Sequence, residues 1–178
     1  MKTLTLLRHA KSGWDDPVSR DFDRPLNPRG RRAARTVARE MKAQGLAFDL
    51  VLASPARRVI ETLEEVAAGY GAIQPRYDQR LYLASTATLI EIVRATPDEV
   101  ERLLLVGHNP GLEELALCLS RGDEAGLRGE VEVKYPTATV AEIGLPVERW
   151  AEVRERTGSL VRFIRPRDLD PELGPDSE

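Results

Sequence analysis

Residues Thr3–Ser12 read TLTLLRHAKS, and the rest of the chain is organised around this stretch. Its first half is an apolar run that favours a buried β-strand, and the run ends abruptly on the charged pair Arg8-His9. In α/β proteins a short strand of this kind places reactive groups at the edge of a sheet. We therefore expect residues 2–8 to form a strand that delivers Arg8 and His9 to a functional site.

The chain has one other histidine, His108, and it arrives in the same way. It follows the apolar run Leu103–Val106 and lies within the sequence GHNPG at 107–111. With histidines this scarce, their placement after two strand-like runs is a pattern that needs an explanation. A single histidine after a strand is usually structural. The functional interpretation therefore depends on finding both histidines in this position.

Strand-like and helix-like segments alternate along the chain, which predicts an α/β fold. We expect a three-layer sandwich in which a central, mostly parallel sheet is flanked by helices. Asn27-Pro28, Ser54-Pro55 and Asn109-Pro110 each look like a helix cap followed by proline in the first turn. The predicted strands are 2–8, 49–53, 73–77, 102–106, 131–135, 139–143 and 160–164, and the predicted helices run from 28 to about 44, 55 to 68, 84 to 96 and 110 to 119.

Length and composition predict one domain over residues 1–165, followed by a mobile acidic tail at 166–178. A net charge of −3 gives no reason to expect nucleic acid or a membrane surface as a partner. Cys118 is the only cysteine, so an internal disulfide is excluded. The first apolar run is too short for a signal-peptide core, and no run approaches the length of a membrane span. These features together predict a cytoplasmic protein.

Three strand-to-helix junctions carry the polar groups that could do chemistry. They supply Arg8 with His9, Ser54 with Arg57, and His108 with Asn109; Arg58, beside Arg57, is expected to face solvent. In an open α/β sheet the junctions at the carboxyl ends of the strands meet in one place. The resulting pocket would combine two arginines with two helix N-termini, which suits phosphate.

The histidines add reactivity to this predicted phosphate pocket. A neutral imidazole can attack phosphorus and carry the phosphoryl group, which divides one difficult displacement into two easier ones. Two histidines without cysteine, and without a matching carboxylate motif, are a weak metal signature. The sequence therefore predicts neither a metal nor another cofactor.

Three motifs together resemble the histidine phosphatase superfamily, which has the phosphoglycerate-mutase-like fold. They are LRHAKS at 7–12, SPARRVIET at 54–62 and GHNPG at 107–111. The short chain, the alanine after Arg-His and DFDRPLNPRG at 21–30 are similar to the SixA-type phosphohistidine phosphatases. The resemblance runs from the first strand to at least Leu119.

The resemblance implies roles for individual residues. His9 would be the nucleophile that becomes phosphohistidine. The phosphoryl oxygens would be bound by Arg8, Arg57 and His108. Further substrate contacts are expected from Ser12, Asp15 and Asn109, with Asp15 roughly where larger relatives carry a phosphate-contacting asparagine.

One departure from the larger relatives concerns the general acid. Mutase-like relatives carry a glutamate shortly after the second motif, whereas RLYLAS at 80–85 has no carboxylate. Asp78 and Asp16 are the first candidates if an acid exists. Its absence would favour a phosphoramidate such as phosphohistidine, whose nitrogen leaving group is easier to expel.

The leading interpretation is a metal-independent phosphatase that acts through phosphorylated His9. Its substrate would be a phosphorylated protein, such as a signalling domain that bears phosphohistidine. One alternative is a broad phosphatase of small phosphorylated metabolites. Another is a non-catalytic module that binds phosphate in the same pocket.

Overall fold

A computed structural model of the chain describes residues 1–13, 20–122 and 126–174. Its centre is a single sheet of six strands. In chain order the strands are β1 (Lys2–Arg8), β2 (Leu50–Ala53), β3 (Arg76–Tyr77), β4 (Arg102–Gly107), β5 (Val140–Leu145) and β6 (Ser159–Ile164). Across the sheet their order is β3-β2-β4-β1-β5-β6.

Four of the strands form a parallel unit. β1 and β2 both pair parallel to β4, and β3 pairs parallel to β2. β5 runs antiparallel to β1, and β6 runs antiparallel to β5. The predicted α/β fold with a mostly parallel central sheet is therefore confirmed, and β1 and β4 lie side by side in the middle of it.

Helices cover both faces of the sheet, so the interior of the central strand β4 is a continuous apolar run rather than an alternating one. In β4, Leu103 and Leu105 pack into one core cluster while Leu104 and Val106 pack into the other. The helices are α1 (Pro28–Ala43), α2 (Arg57–Tyr70), α3 (Thr86–Arg94), α4 (Gly111–Leu119), α5 (Leu127–Val133) and α6 (Pro166–Leu169). In the described part of the chain, no helix has the length and apolar character needed to cross a membrane.

The predicted helix caps differ in outcome. α1 begins as expected, because the Asn27 side chain accepts a hydrogen bond of 2.7 Å from the Gly30 amide and proline follows the cap. α2 begins two residues later than predicted, with Ala56 at the N-cap position. Ser54 is therefore not a cap, and its hydroxyl is available to the site described below.

The predicted strand at 131–135 is wrong, because α5 extends to Val133. A strand would place alternate residues on one face, yet Val131 is fully buried while Val133 is 82% exposed. Val131 and Tyr135, which are four residues apart, are the buried pair. The predicted strand at 73–77 is shortened to Arg76–Tyr77.

Residues 166–174, which the sequence assigns to a tail, pack onto the rest of the fold. Pro166 and Leu173 are buried, and Leu173 joins a small core cluster against α1. Arg32 of α1 forms ion pairs with Asp170 at 2.5 Å and with Glu172 at 2.8 Å. What remains of the predicted tail, residues 175–178, lies outside the described residues.

Candidate active site

The two histidines follow directly from neighbouring parallel strands. Arg8 at the end of β1 is in register with Gly107 at the end of β4, so the next residue on each strand is a histidine. The His9 amide donates to the Gly107 carbonyl at 3.0 Å, which fixes this register beyond the strands. The imidazole centroids of His9 and His108 are 5.2 Å apart.

An open cavity of about 610 Å³ lies at this edge of the sheet. Of the residues predicted to be catalytic or to bind substrate, all that the structure describes line this cavity except Arg57. Ser54, expected from the second junction, is buried and does not line it. Asp15 and Asp16 fall outside the described residues. The cavity is lined by Arg8, His9, Lys11, Ser12, Asp21, Arg24, Arg58, Leu83, His108 and Asn109.

The arginine supplied by α2 is Arg58, and the prediction that Arg57 enters the pocket while Arg58 faces solvent is wrong. The Arg58 side chain is almost completely buried, with its Nε 3.4 Å from His9 Nε2 and its Nη2 3.3 Å from His108 Nδ1. The Arg57 side chain is half exposed and forms an ion pair with Glu61 at 2.8 Å. Arg58 therefore touches both histidines.

The phase of α2 explains the difference between the two arginines. Residues four apart lie on one helix face, so Arg58 shares its face with Thr62 and Val66, which are both buried. Arg57 shares its face with Glu61 and pairs with it. This periodicity is visible in the sequence and would have identified Arg58, once the start of the helix was known.

His9 presents a lone pair to the pocket. Its Nδ1 lies 2.7 Å from the Ala10 carbonyl, which can only accept, so Nδ1 carries the proton. Nε2 is then unprotonated and accepts the hydrogen bond from Arg58. Burial lowers the pKa of His9 well below its usual value; the Ala10 hydrogen bond opposes this shift, and the charges of His108, Arg8 and Arg58 reinforce it. His9 is consequently neutral at neutral pH.

His108 is also neutral, but with the opposite tautomer. Because arginine can only donate, its contact with Arg58 makes Nδ1 the acceptor. Nε2 then donates to the hydroxyl of Ser54 at 2.7 Å. Burial, followed by the charge of Arg58, lowers the pKa of His108 to about 3.

We expect neither imidazole of the free protein to titrate between pH 5 and pH 8. Both histidine pKa values are lowered, so the imidazoles become protonated only at a more acidic pH. Nitrogen-15 NMR of histidine-labelled protein measures this directly, because the chain contains two imidazoles. A variant with His108→Gln assigns the signals. A resonance that titrates near pH 6.5 would contradict the burial argument.

A single backbone oxygen positions two more pocket residues. The Tyr135 carbonyl accepts from Arg8 Nη1 and from the Asn109 side-chain amide, both at 3.0 Å. Asn109 Oδ1 in turn accepts from the Glu113 amide in the first turn of α4. The segment after α5, wrongly predicted as a strand, thus holds Arg8 and Asn109 in place.

Asp21, the first residue of the DFDRPLNPRG motif, lines the pocket, although no individual role was predicted for it. Its Oδ2 accepts from Arg58 Nη2 at 3.0 Å and from the Tyr82 hydroxyl at 2.7 Å, and its Oδ1 accepts from Arg24 Nε at 3.0 Å. Burial alone would raise the pKa of Asp21. The hydrogen bond from Tyr82 and the charge and hydrogen bond of Arg58 outweigh it and lower the pKa to about 2.

Neither Asp78 nor Asp21 is suited to donate a proton at neutral pH. Asp78 lies outside the pocket, where it caps the helical turn at Gln79–Leu81 and pairs with Arg80. Asp21 lies in the pocket but is held ionised by its three donors. Among residues 1–13, 20–122 and 126–174, no three His, Cys, Asp or Glu side chains are grouped so that they could hold a metal ion.

Comparisons with known proteins agree with this geometry. The family model of the histidine phosphatase superfamily (branch 1) matches residues 4–83. The uncharacterized protein Rv1276c of Mycobacterium tuberculosis is 37% identical over 163 residues, which cover 90% of this chain and all of that protein.

Two solved structures share both fold and sequence with this chain. A protein described as a phosphohistidine phosphatase, SixA, from Agrobacterium tumefaciens aligns with a TM-score of 0.77 and 29% identity over 93% of this chain and 98% of its own. The SixA protein from Nakamurella multipartitia aligns with a TM-score of 0.75 and 29% identity, over 93% of this chain and 96% of its own.

The chain therefore belongs to the histidine phosphatase superfamily, and within it to the SixA type. Its activity is that of a phosphatase, and its substrate is a phosphorylated molecule.

Proposed function

We propose that this phosphatase forms a covalent phosphohistidine at His9 and that its substrate is phosphohistidine in a partner protein. The observation that carries the mechanism is the orientation of His9. Its Nδ1 is bound to the Ala10 carbonyl, so the Nε2 lone pair faces the open pocket beside Arg58. A residue that only bound phosphate would have no need of this lone pair.

The first chemical step transfers the phosphoryl group to the protein. His9 Nε2 attacks phosphorus, the new N–P bond forms, and the bond from phosphorus to the leaving group breaks with its electron pair on the leaving atom. In the second step water attacks the phosphorylated His9. The N–P bond then breaks, inorganic phosphate leaves, and the proton of the attacking water passes to the phosphate.

Charge on the phosphoryl oxygens is stabilised by the groups that surround His9. Arg8 and Arg58 offer planar guanidinium donors, and Arg58 takes the role that the sequence predicts for Arg57. His108 Nδ1 points toward the same place, and a bound dianion raises the pKa of His108, so that this nitrogen gains a proton to donate. Ser54 holds the other nitrogen of His108.

The leaving group selects the class of substrate. Departure of an alkoxide requires a proton, and neither Asp21, which is ionised, nor Asp78, which lies outside the pocket, supplies one at neutral pH. An imidazole leaves more readily, especially when its distant nitrogen is protonated. Two SixA-type proteins with 29% identity carry the phosphohistidine phosphatase description, which supports the same class.

We expect the protein to hydrolyse phosphohistidine in a peptide at least about 100-fold faster than phosphoserine in the same peptide. General acid assistance is worth about 10²- to 10⁴-fold, and the phosphoserine reaction lacks it here. Release of inorganic phosphate from the two peptides, compared as kcat/KM, measures the ratio.

Aryl and alkyl phosphates provide a matched control without any peptide. Aryl phosphates, whose leaving group needs no proton, should be turned over well, while alkyl phosphates should be poor substrates. Comparable rates for the two would mean that an acid is present. Asp16, outside the described residues, would then be the first residue to replace.

A further inference from the structure

A second cavity adjoins the phosphoryl pocket, and the two share Lys11. We call this second cavity the basic cleft. Its rim carries four cationic residues, and part of its floor is apolar, formed by Ala33 and Leu173, which are both buried. The cationic residues are Lys11, Arg29, Lys134 and Arg167.

The rim is held in place by close backbone packing. Asn27 donates its amide to the Lys11 carbonyl at 3.1 Å, and a Cβ on Gly30 would lie only 2.1 Å from the same oxygen. The first turn of α1, with Arg29 on it, therefore lies directly against Lys11. On the opposite side Gly174 packs as closely on Arg167, since an added Cβ would lie 2.4 Å from the Arg167 Cβ.

The basic cleft concentrates positive charge on a chain whose net charge is −3. Within the described residues, Arg29 and Arg167 form no ion pair or side-chain hydrogen bond. Within 166–174, the acidic residues are engaged elsewhere, with Asp170 and Glu172 on Arg32 and Asp168 on Arg165. The charges of Arg29 and Arg167 are therefore available to an anionic ligand.

Size and polarity restrict what that ligand can be. The basic cleft offers about 20 Å³, compared with about 610 Å³ in the phosphoryl pocket, so it admits only the end of a side chain. The body of the ligand must therefore lie across the surface. An apolar floor under a cationic rim suits a short aliphatic stem that ends in a carboxylate, as in glutamate.

We propose that the basic cleft binds an acidic side chain of the same protein substrate whose phosphoryl group enters the neighbouring pocket. This assignment rests on the proposed function, because it requires a polypeptide substrate. Lys11, which lines both cavities, makes the two sites continuous. The substrate class becomes a phosphohistidine protein with glutamate or aspartate near the modified residue.

The test begins with binding, which needs no turnover. A fluorescent Glu-rich peptide and its Gln-substituted counterpart are titrated with the protein, and anisotropy reports the dissociation constants. We expect the wild-type protein to prefer the Glu peptide, and Arg29→Glu to weaken that binding by about tenfold. Arg39→Glu, an exposed residue farther along α1, is the matched control and should leave the binding within about twofold.

Turnover measurements then test whether the basic cleft recognises the substrate. With phosphohistidine peptides flanked by glutamate or by glutamine, Arg29→Glu and Arg167→Gln should raise KM for the acidic peptide about tenfold. The same variants should leave KM for the glutamine peptide unchanged. This dependence on the peptide distinguishes recognition from a general loss of folding, which would affect both peptides equally.

Several outcomes would overturn the proposal. They are equal binding of the two peptides by the wild-type protein, an equal effect of Arg39→Glu, and tighter binding of a single-stranded oligonucleotide than of the Glu peptide. If the wild-type protein binds the Glu peptide selectively but hydrolyses no phosphohistidine peptide, the proposed function fails while the acidic specificity of the basic cleft stands. The two failures are thus distinguishable.

Discussion

Replacing His9 with alanine is expected to abolish turnover, with a loss on the order of 10⁴-fold or more, because the nucleophile is removed. The same change should remove the acid-labile, base-stable phosphoenzyme. His9 is delivered by β1, and its Nε2 lone pair is already directed at the pocket. Rapid-quench labelling with a radioactive phosphoryl donor measures the phosphoenzyme, and phosphate release measures turnover.

His108→Ala is the matched control for this experiment. It removes a donor to the phosphoryl oxygens but leaves the nucleophile, so turnover should fall severely while some labelled enzyme remains. If His9→Ala still forms a labelled enzyme, the nucleophile lies elsewhere and the mechanism proposed for His9 fails.

The second large effect concerns two adjacent arginines. Arg58→Ala should lower kcat/KM by about 10²- to 10⁴-fold, because it removes a buried guanidinium that faces both histidines. Arg57→Ala should change kcat/KM by less than about threefold, since Arg57 does not line the pocket and its half-exposed guanidinium pairs with Glu61. The two arginines are neighbours in the chain, but only Arg58 lines the pocket.

Steady-state kinetics with an aryl phosphate measures both variants under identical conditions. Thermal unfolding is followed in parallel, because Arg58 also pairs with Asp21 and its loss affects the fold. Arg58→Lys keeps the charge but loses the planar fork, and it should recover only part of the activity. A larger kinetic effect from Arg57→Ala than from Arg58→Ala would invalidate the assignment of Arg58.

The sequence is sufficient to predict the parts of the site that lie at strand ends. Apolar runs that stop on Arg8-His9 and on Gly107-His108 predict the two central strands, and parallel pairing brings their ends together. Asn27-Pro28 likewise marks the start of α1. In each case a local sequence pattern and its position along the chain are enough to predict where the strand ends or the helix begins.

Other parts of the site depend on geometry that local patterns do not contain. Ser54-Pro55 looks like a cap, but α2 begins at Arg57. Arg58 points inward because it lies on the same helix face as the buried Thr62. The contribution of Tyr135 comes from its backbone carbonyl, which every residue possesses, so no side-chain motif reveals it. Asp21 enters the pocket from a loop whose path is set by contacts distant in sequence.

The ion pair between Asp21 and Arg58 bears on how the product leaves. Arg58 is already engaged by the Asp21 carboxylate and carbonyl, at 3.0 and 2.8 Å, so inorganic phosphate has to share this guanidinium with an anion that belongs to the protein. The shared donor holds phosphate less firmly than an uncommitted one would. Inorganic phosphate, the product, is itself a strong ligand for arginine. Competition from Asp21 therefore shortens the time for which phosphate stays bound, and the pocket is freed for another cycle.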